Sequence, residues 1–174
     1  MIAPVPDAAL LDRDGTINVK APDGDYIVRP DDLALLPGAG EAIRALNDAG
    51  IPVVVVTNQR GIALGRMTEA DLAAVHRRLA ELLAGHGARL DAVFHCAHHA
   101  GTCACRKPGT LLLERAREHL RLATLRNSVM IGDSDTDVLA GRAAGAHSVL
   151  LDDGLSLLGA VQRVLAGWAS PDGG

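Results

Sequence analysis

Short apolar runs alternate along the chain with longer stretches in which apolar residues recur every three or four positions. The runs predict five buried strands, at residues 8–11, 53–56, 92–95, 129–131 and 148–151. The amphipathic stretches predict helices from Pro37 to about 49, from Thr68 to about 85, after Thr110, over 135–144, and around Leu158, Val161 and Leu165. Because strands and helices alternate, we predict an α/β fold, a Rossmann-like parallel five-stranded sheet with helices on both faces.

Local turn and cap signals agree with these boundaries. Thr68 and Asp71 have the spacing of a capping box, with aspartate in place of the usual glutamate. Residues 17–36 contain two prolines and a glycine and have no regular apolar period. We therefore expect a short flap or hairpin between the first strand and the first helix.

Length and composition restrict the class of protein. The 174 residues, 48% of them hydrophobic, predict one domain over 1–169, with 170–174 as a frayed tail. The net charge is −4, and the aromatic residues are Tyr26, Phe94 and Trp168. We expect no nucleic-acid partner, since that function needs a basic face or stacking rings. We expect no membrane partner and a cytoplasmic monomer, because no apolar window is long enough to span a bilayer and no secretion signal is recognisable.

Polar side chains follow each of the first four predicted strands. The clusters are Asp12 and Asp14, Thr57 to Gln59, Arg106 and Lys107, and residues 132–137. Because open parallel sheets bind ligands beyond the carboxyl ends of their strands, we expect these clusters to meet at one edge. Carboxylates, a hydroxyl and a lysine suit phosphoryl transfer with a divalent metal. Taken alone, the segment from Asp12 to Thr16 also fits an ordinary turn that follows a strand.

All three cysteines lie within ten residues of one another. Cys96, Cys103 and Cys105, with a nearby histidine, have the ligand types of a closed structural Zn²⁺ site. His98, His95 and His99 compete for the histidine position. The alternatives are ordinary cysteines or a redox pair, although an odd count argues against a disulfide framework.

The order of these motifs resembles the haloacid dehalogenase-like (HAD) hydrolases. The resemblance runs from about residue 8 to 151: Asp-x-Asp-Gly-Thr, a threonine at a strand end, Lys-Pro, then Gly-Asp-x-x-x-Asp. It implies that Asp12 is the nucleophile that accepts the phosphoryl group. It also implies that Asp14 protonates the leaving oxygen and then activates the water that cleaves the aspartyl-phosphate.

The same resemblance implies roles for the other clusters. The implied Mg²⁺ ligands are Asp12, the backbone carbonyl of Asp14, and Asp133. Thr57 and Lys107 would steady the phosphate, and Asp137 would orient Lys107 or a metal-bound water. A second acid often follows the glycine in this family, but here that position is Ser134. Asp135 is then expected to cap the following helix.

The cysteine segment narrows the resemblance. Cys-x-His, a short spacer and Cys-x-Cys-Arg-Lys-Pro resemble the branch of D-glycero-D-manno-heptose 1,7-bisphosphate phosphatases and histidinol-phosphate phosphatases, and this pattern selects His98 as the zinc ligand. The implied substrate contacts are Thr57, Asn58, Gln59, Arg60, Arg106 and Lys107. The loop after the second strand resembles the heptose enzymes, except that Arg60 replaces a serine and Leu64 an arginine. The short spacer is closer to the histidinol-phosphate enzymes, which remain the alternative.

The resemblance implies an Mg²⁺-dependent phosphatase for a small phosphorylated sugar, with the 7-phosphate of the heptose bisphosphate as the leading candidate. The intervals around Thr57 leave no room for a cap domain, so we expect a shallow pocket whose walls are the flap around Lys20 to Tyr26 and the cysteine segment. Tyr26 either stacks on the sugar or covers the apolar side of the flap. Arg60 either binds the non-reacting phosphate of a bisphosphate, since guanidinium pairs bidentately with phosphate, or is a solvated surface residue.

Two non-enzymatic alternatives share some of these features. A response-regulator receiver domain is also five-stranded and is phosphorylated on aspartate with Mg²⁺, but its acceptor follows the third strand. Here the third strand leads into the cysteine segment, and the paired acids are followed by Gly-Thr, which favours a hydrolase. A zinc-dependent binding module is the other alternative, and the negative charge and the full catalytic set argue against it.

Overall fold

The structure is a computed structural model that describes residues 5–167, so the predicted frayed tail at 170–174 lies outside the described residues. The strands are β1 Ala8–Leu11, β2 Val53–Asn58, β3 Ala92–Cys96, β4 Ser128–Gly132 and β5 His147–Leu150. The helices are α1 Ala39–Asp48, α2 Glu69–Gly85, α3 Leu111–His119, α4 Asp135–Ala143 and α5 Leu157–Gly167. A short 3₁₀ helix covers Pro30–Asp32.

The five strands form one parallel sheet in the order β3-β2-β1-β4-β5, which confirms the predicted fold class. Leu11 at the end of β1 is in register with Val55 on one side and Ile131 on the other. The chain moves outward from β1 through β2 to β3, and then crosses to the other side of β1 for β4 and β5. The carboxyl ends of β1 and β4 therefore border the switch point at which open α/β sheets bind ligands.

Successive residues of the strands enter two separate cores, because side chains alternate between the faces of a sheet. Leu11 and Val55 belong to the core that α1, α2 and α5 cover. Leu10 and Val56 belong to the core that α3 and α4 cover. The residues of β1, β4 and nearly all of β2 are thus buried on their own face, which explains why these three strands read as continuous apolar runs, whereas the edge strands β3 and β5 are mostly half-buried.

The segment 17–36 is a flap with a paired base and not a regular hairpin. The Val19 amide donates to the Ala34 carbonyl (2.9 Å), and the Leu36 amide donates to the Ile17 carbonyl (2.9 Å). Beyond this base the flap is irregular apart from the 3₁₀ helix, since its prolines cannot donate to a ladder.

Two contacts attach the flap to the loop that follows β2. Arg66 donates to the Gly24 carbonyl and lies 3.7 Å from an Asp25 carboxylate oxygen. The Tyr26 ring lies against Gly61, where an added Cβ would stand 2.8 Å from Tyr26 Cγ. The contact with Gly61 assigns Tyr26 a packing role; a sugar contact stays a prediction.

Most predicted element ends agree with the structure, with one exception. The capping box of α2 is confirmed: the Asp71 amide donates to Thr68 Oγ1 (3.1 Å) and the Thr68 amide donates to Asp71 Oδ2 (2.8 Å). The prediction that Asp135 caps α4 is wrong. Ser134 is the N-cap, because its amide and hydroxyl both donate to Asp137 Oδ2, and Asp135 is the first helical residue.

The intervals on either side of Thr57 contain only short elements. Within residues 5–167, the first interval holds the flap and α1, and the second holds α2 and β3. The described chain thus leaves the carboxyl edge of the sheet without a covering domain. Among these same residues, no helix is both long enough and apolar enough to cross a bilayer.

Candidate active site

A tight turn directly after β1 begins the site. The Arg13 carbonyl accepts hydrogen bonds from the amides of Ile17 (2.8 Å) and Asn18 (3.2 Å). Gly15 has a φ of 82°, and an added Cβ there would stand 2.3 Å from Asp133 Oδ2. Only glycine fits this combination of positive φ and close approach. The turn consequently packs Gly15 against the Asp133 carboxylate, just after β4.

Lys107 is the centre of the buried charges at this edge. Its Nζ donates to Asp12 Oδ1 (2.8 Å) and to the Val56 carbonyl (2.7 Å), and lies 2.6 Å from Asp137 Oδ1. Three acceptors match the three protons of the ammonium group. The ends of β1 and β2, the start of α4 and the segment after β3 therefore meet at one cation, as the sequence predicts.

Burial and charge act in opposite directions on this pair. Burial raises the pKa of Asp12 to about 7, against the attraction of Lys107 and with the help of the Asp137 charge. Burial alone would lower the pKa of Lys107, but the Asp12 and Asp137 carboxylates outweigh it and the pKa is raised. Lys107 therefore stays charged, and added positive charge near Asp12 would favour its carboxylate form.

Three carboxylates at this edge suit a hard divalent cation. Oxygen atoms of Asp12, Asp133 and Asp137 lie within 4.8 Å of one another. Lys107 lies against Asp12 and Asp137, and Lys20 lies against Asp133 Oδ2. Asp133 Oδ1 is buried and has no hydrogen-bond partner among residues 5–167, as expected of an atom that binds a metal. Oxygen donors of this kind are what Mg²⁺ prefers.

Asp137 differs from Asp133 in how fully its oxygens are used. Its Oδ1 lies against Lys107, and its Oδ2 accepts from the Ser134 amide (3.1 Å) and hydroxyl (2.8 Å). An added Cβ at Gly132 would stand 2.2 Å from Asp137 Oδ2, so glycine permits this approach. The contacts place Asp137 beside Lys107, and they leave Asp133 as the freer carboxylate for a metal.

The Asp14 carboxylate accepts hydrogen bonds from the side chains of three residues. Asn18 Nδ2 donates to Oδ1 (2.9 Å), Gln59 Nε2 donates to Oδ2 (2.9 Å), and Arg13 Nη2 donates to both oxygens (2.9 and 3.0 Å). Burial alone would raise the pKa of Asp14, but the Arg13 charge and these hydrogen bonds outweigh it and the pKa is lowered. The carboxylate is thereby fixed in orientation and favoured in its ionised form.

The residues after β2 that are predicted to bind phosphate or substrate form hydrogen bonds with other residues of the site. Thr57 is buried, and its Oγ1 accepts from Gln59 Nε2 (2.9 Å). Gln59 is 1% exposed and joins Thr57 to Asp14. The Asn58 side chain holds the Lys107 backbone through two hydrogen bonds (3.0 and 3.2 Å). Gln59 and Asn58 thus position other site residues, and a direct substrate contact by either stays a prediction.

Two arginines next to site residues have hydrogen-bond donors without a partner in the described part of the chain. Arg60 Nε and Arg106 Nη1 are buried, and neither has a hydrogen-bond partner in the described part of the chain. An unmet buried guanidinium donor has a desolvation cost that a bound anion would remove. This observation favours anion binding over a freely solvated side chain for both residues.

The four predicted zinc ligands come together in the loop after β3. Cys96 Sγ lies 3.5 Å from both His98 Nδ1 and Cys103 Sγ, while Cys105 Sγ lies 3.1 Å from His98 Nδ1 and 3.4 Å from Cys103 Sγ. These separations are near the roughly 3.8 Å expected between ligands of a tetrahedral Zn²⁺. His95 instead pairs with Glu69 (2.8 Å), so it is directed away from the cluster.

The local chemistry of this cluster also suits a metal. A hydrogen bond from the Arg106 backbone lowers the pKa of Cys103 to about 6, whereas burial raises that of Cys105 to about 12. Thiolate is the form that binds a metal, and a cation among these groups would favour it. The same residues continue directly into Arg106 and Lys107, so the cluster fixes the segment that carries them.

A small pocket of about 220 Å³ opens beside Asp14. Its walls are the flap, including Lys20 and Tyr26, and Asn58 from the end of β2. Lys20 Nζ also lies 2.5 Å from Asp133 Oδ2, and this hydrogen bond, together with the Asp133 charge, raises the pKa of Lys20. The flap is a wall of this pocket, as the sequence predicts, but no residue of the cysteine segment lines it, and a shallow depth stays a prediction.

The sequence predicts no role for Arg13 or His76, and it predicts Lys20 only as part of the flap wall. Arg13 lies between the two acids of the first motif, where a fully buried arginine could have been inferred from its position next to a buried strand. Lys20 lies in the aperiodic flap, and no sequence signal links it to Asp133. His76 lies on α2 and contacts Arg13 Nη1 through its Nε2 (3.1 Å), across 63 residues of sequence.

Known proteins are similar to this chain in sequence and in fold. A family model described as HAD-hydrolase-like matches residues 104–168. A D-glycero-beta-D-manno-heptose-1,7-bisphosphate 7-phosphatase from Mesorhizobium japonicum is 44% identical over 84% of this chain and 70% of its own length. A D-glycero-D-manno-heptose-1,7-bisphosphate 7-phosphatase from Thermosynechococcus vestitus is 39% identical over 92% and 83%. The crystal structure of the D,D-heptose 1,7-bisphosphate phosphatase from B. bronchiseptica with magnesium and phosphate has a TM-score of 0.82 at 30% identity, covering 91% of this chain and 98% of that one.

Proposed function

This chain belongs to the HAD-like phosphatases, in the family of D-glycero-D-manno-heptose-1,7-bisphosphate 7-phosphatases, and on that premise we propose that it removes the 7-phosphate from D-glycero-D-manno-heptose 1,7-bisphosphate. The observation that carries the proposal is the buried set of Asp12, Lys107 and Asp137 beside Asp133, whose Oδ1 has no hydrogen-bond partner among residues 5–167. This set combines a nucleophile, a fixed cation and metal-ligand oxygens at the edge where an open pocket gives access.

Asp12 carries the first step. One of its carboxylate oxygens forms a bond to phosphorus as the bond from phosphorus to the sugar oxygen breaks, and the sugar oxygen takes a proton from Asp14. Lys107 holds the Asp12 carboxylate in place at 2.8 Å and offsets negative charge that spreads over the phosphoryl oxygens. The product of this step is the aspartyl-phosphate on Asp12 and the free sugar hydroxyl.

Asp14 carries the second step in its ionised form. It takes a proton from a water molecule whose oxygen forms a bond to phosphorus, while the bond from phosphorus to Asp12 breaks and inorganic phosphate leaves. The hydrogen bonds from Arg13, Asn18 and Gln59 favour this ionised form and hold its direction. The proton gained by Asp14 is the one it donates in the next first step.

The residues at the carboxyl edge fit Mg²⁺. Asp12, the Asp14 backbone carbonyl and Asp133 would hold it, and the unpartnered Asp133 Oδ1 supports this assignment. When bound, the ion supplies positive charge next to the phosphoryl oxygens. Thr57 and Lys107 would steady the same phosphate from the protein side.

The cluster of Cys96, His98, Cys103 and Cys105 fits a structural Zn²⁺. Four protein ligands complete a tetrahedron and leave no position for substrate, so the ion's role is to fix the loop. None of the three cysteines is in a disulfide, which fits a reducing cytoplasmic location. We propose a monomer that acts on a small sugar phosphate, without a nucleic-acid or membrane partner.

The second phosphate of a bisphosphate has candidate ligands in Arg60 and Arg106. Both present buried N–H groups without partners in the described chain, and both follow the carboxyl ends of strands that border the site. Guanidinium groups bind phosphate bidentately, which suits the phosphate that does not react. This pair favours a bisphosphate over a monophosphate substrate.

A phosphate-release assay with both anomers of the heptose 1,7-bisphosphate and with histidinol phosphate, in the presence of Mg²⁺, tests the function. We expect turnover of a heptose bisphosphate and little turnover of histidinol phosphate, with Asp12→Asn as the inactive control. The short spacer between His98 and Cys103 favours the histidinol-phosphate alternative. Preferential release of phosphate from histidinol phosphate would establish that alternative. A chain that becomes phosphorylated by a small phosphodonor without turning over any ester would instead be a receiver-like acceptor.

A further inference from the structure

Arg13 is fully buried although it has the largest charged side chain in the site. It has 0% relative exposure, and one edge of its guanidinium meets Asp14 through Nε (3.3 Å) and Nη2 (2.9 Å). A buried guanidinium needs partners for its remaining protons as well. The partner of its other terminal nitrogen, Nη1, is His76 Nε2 at 3.1 Å.

The direction of this hydrogen bond follows from the chemistry of arginine. A guanidinium only donates, so His76 Nε2 must be the acceptor and the ring proton must lie on Nδ1. Burial and the Arg13 charge both lower the pKa of His76, to about 3, so the ring is neutral over the whole physiological range. The ring also packs edge-to-face against His95 with centroids 6.3 Å apart, which restricts its rotation.

We propose that His76 is a positioning residue for the phosphatase reaction, because its acceptor nitrogen holds the Arg13 guanidinium in the orientation that fixes the Asp14 carboxylate. The inference rests on the proposed function for its kinetic consequence and on the Arg13–His76 contact for its geometry. Without the acceptor, Arg13 would have a buried donor left unmet and would turn to satisfy it. Asp14 would then lose its fixed direction toward the leaving oxygen and the water, although the substrate-binding groups would remain in place.

Paired substitutions of His76 test the kinetic part. His76→Phe removes the acceptor and keeps a ring of similar shape, and His76→Gln keeps an acceptor oxygen. We expect His76→Phe to lower kcat about 10-fold or more with KM changed less than about 2-fold, and His76→Gln to restore most of the loss. His86→Phe, at the exposed C-cap residue of α2, is the matched control and should leave kcat unchanged.

A double substitution separates positioning from packing. In an Arg13→Met background, His76→Phe should lower kcat little further, because the residue through which it acts is gone. Equal losses from His76→Phe in both backgrounds, or His76→Gln as defective as His76→Phe, would overturn the inference. A rise in KM that accounts for the whole kinetic effect would do the same.

The geometry has a readout that does not need turnover. Nitrogen-15 NMR should show the His76 ring as the tautomer protonated on Nδ1, and resolved, slowly exchanging Arg13 Nη protons that disappear in His76→Phe. If the opposite tautomer is found, or if the Arg13 signals are unchanged in His76→Phe, the inference fails even when the enzyme is active. A wild-type protein that shows these signals but releases no phosphate from any ester would instead contradict the proposed function.

Discussion

The carboxylate edge and the cysteine loop are both built to hold a metal, but they are assembled in opposite ways. Asp12 and Asp133 come from the ends of β1 and β4, more than a hundred residues apart, and become neighbours only because the sheet forms. The four ligands of the cysteine loop lie within residues 96–105. The carboxylate site therefore depends on the folded sheet. The cysteine loop instead depends on its metal for order, since a short loop cannot bury enough surface to order itself.

The difference predicts that the two sites respond differently to the loss of a residue. A carboxylate at the sheet edge can be removed without unfolding, because the strands that position it are buried independently. Removal of a metal ligand from the cysteine loop should instead lower the stability of the protein. Activity and stability should thus separate cleanly between the two regions.

The largest expected effect is that of Asp12→Asn. Turnover should fall more than about 1,000-fold, because an amide cannot attack phosphorus. The melting temperature should change little, since Lys107 keeps both the Asp137 carboxylate and the Val56 carbonyl. Steady-state phosphate release and a thermal melt measure the two quantities on one preparation.

Asp135→Asn is the matched control, because Asp135 is an exposed acid at the same edge. It should retain wild-type turnover. Retained activity in Asp12→Asn would rule out covalent catalysis at that residue, and a large loss of stability would contradict the separation of the two regions.

Removal of each metal tests the difference between the carboxylate edge and the cysteine loop. Stripping Mg²⁺ should stop turnover reversibly and leave the melting temperature nearly unchanged. Stripping Zn²⁺, or His98→Ala, should lower the melting temperature by on the order of 10 °C, because binding of a structural metal is coupled to folding.

His99→Ala provides the matched control for the cysteine loop, since His99 is a neighbour of His98 whose ring is outside the cluster. It should keep both the zinc content and the melting temperature of the wild type. Zinc-free protein that melts at the same temperature as the wild type would disprove a structural zinc.

Arg60→Ala tests whether Arg60 binds the phosphate that does not react. We expect KM for the bisphosphate to rise about 10-fold, equivalent to about 1.4 kcal/mol of binding, with KM for a monophosphate unchanged. Arg115→Ala, an exposed arginine on α3, is the control. Equal changes in KM for both substrates would show that Arg60 does not bind the second phosphate.

The parts of this molecule that could be predicted from sequence are those with a local signal. The strands are continuous apolar runs, so their existence and parallel pairing follow from burial on both faces. Polar residues after those strands then had to converge at one edge, which explains why Asp12, Lys107 and Asp133 could be grouped. The cysteine ligands were recognisable because they are adjacent along the chain.

The parts that could not be predicted depend on three-dimensional proximity without a local pattern. His76 lies on a helix whose sequence only indicates an amphipathic face, and its contact with Arg13 spans 63 residues. The flap has no period, so the pairing of Lys20 with Asp133 has no sequence signal. The sequence does not identify the cap of α4, because Ser134 and Asp135 are both good capping residues and only the backbone conformation at Ser134 distinguishes them.

The last prediction concerns His76, which contacts Arg13 on one side and His95 on the other. Burial lowers the pKa of His76 from 6.5 to about 3 in the folded protein. The unfolded chain therefore binds a proton that the folded chain does not as the pH falls below about 6.5, and stability is lost in that direction. Above this pH both states are neutral and His76 contributes no pH dependence.

Between about pH 7.5 and about pH 5, His76 should lower the free energy of unfolding by about 2 kcal/mol. Urea unfolding of wild type and His76→Gln at both pH values measures this contribution, because the difference between the two proteins cancels every other titrating group, including Asp12, whose raised pKa acts in the opposite direction. His76→Gln should lose less stability than wild type on acidification. Parallel losses would mean that His76 takes up a proton in the folded state, and then its Nε2 could not be the acceptor that holds Arg13 against Asp14.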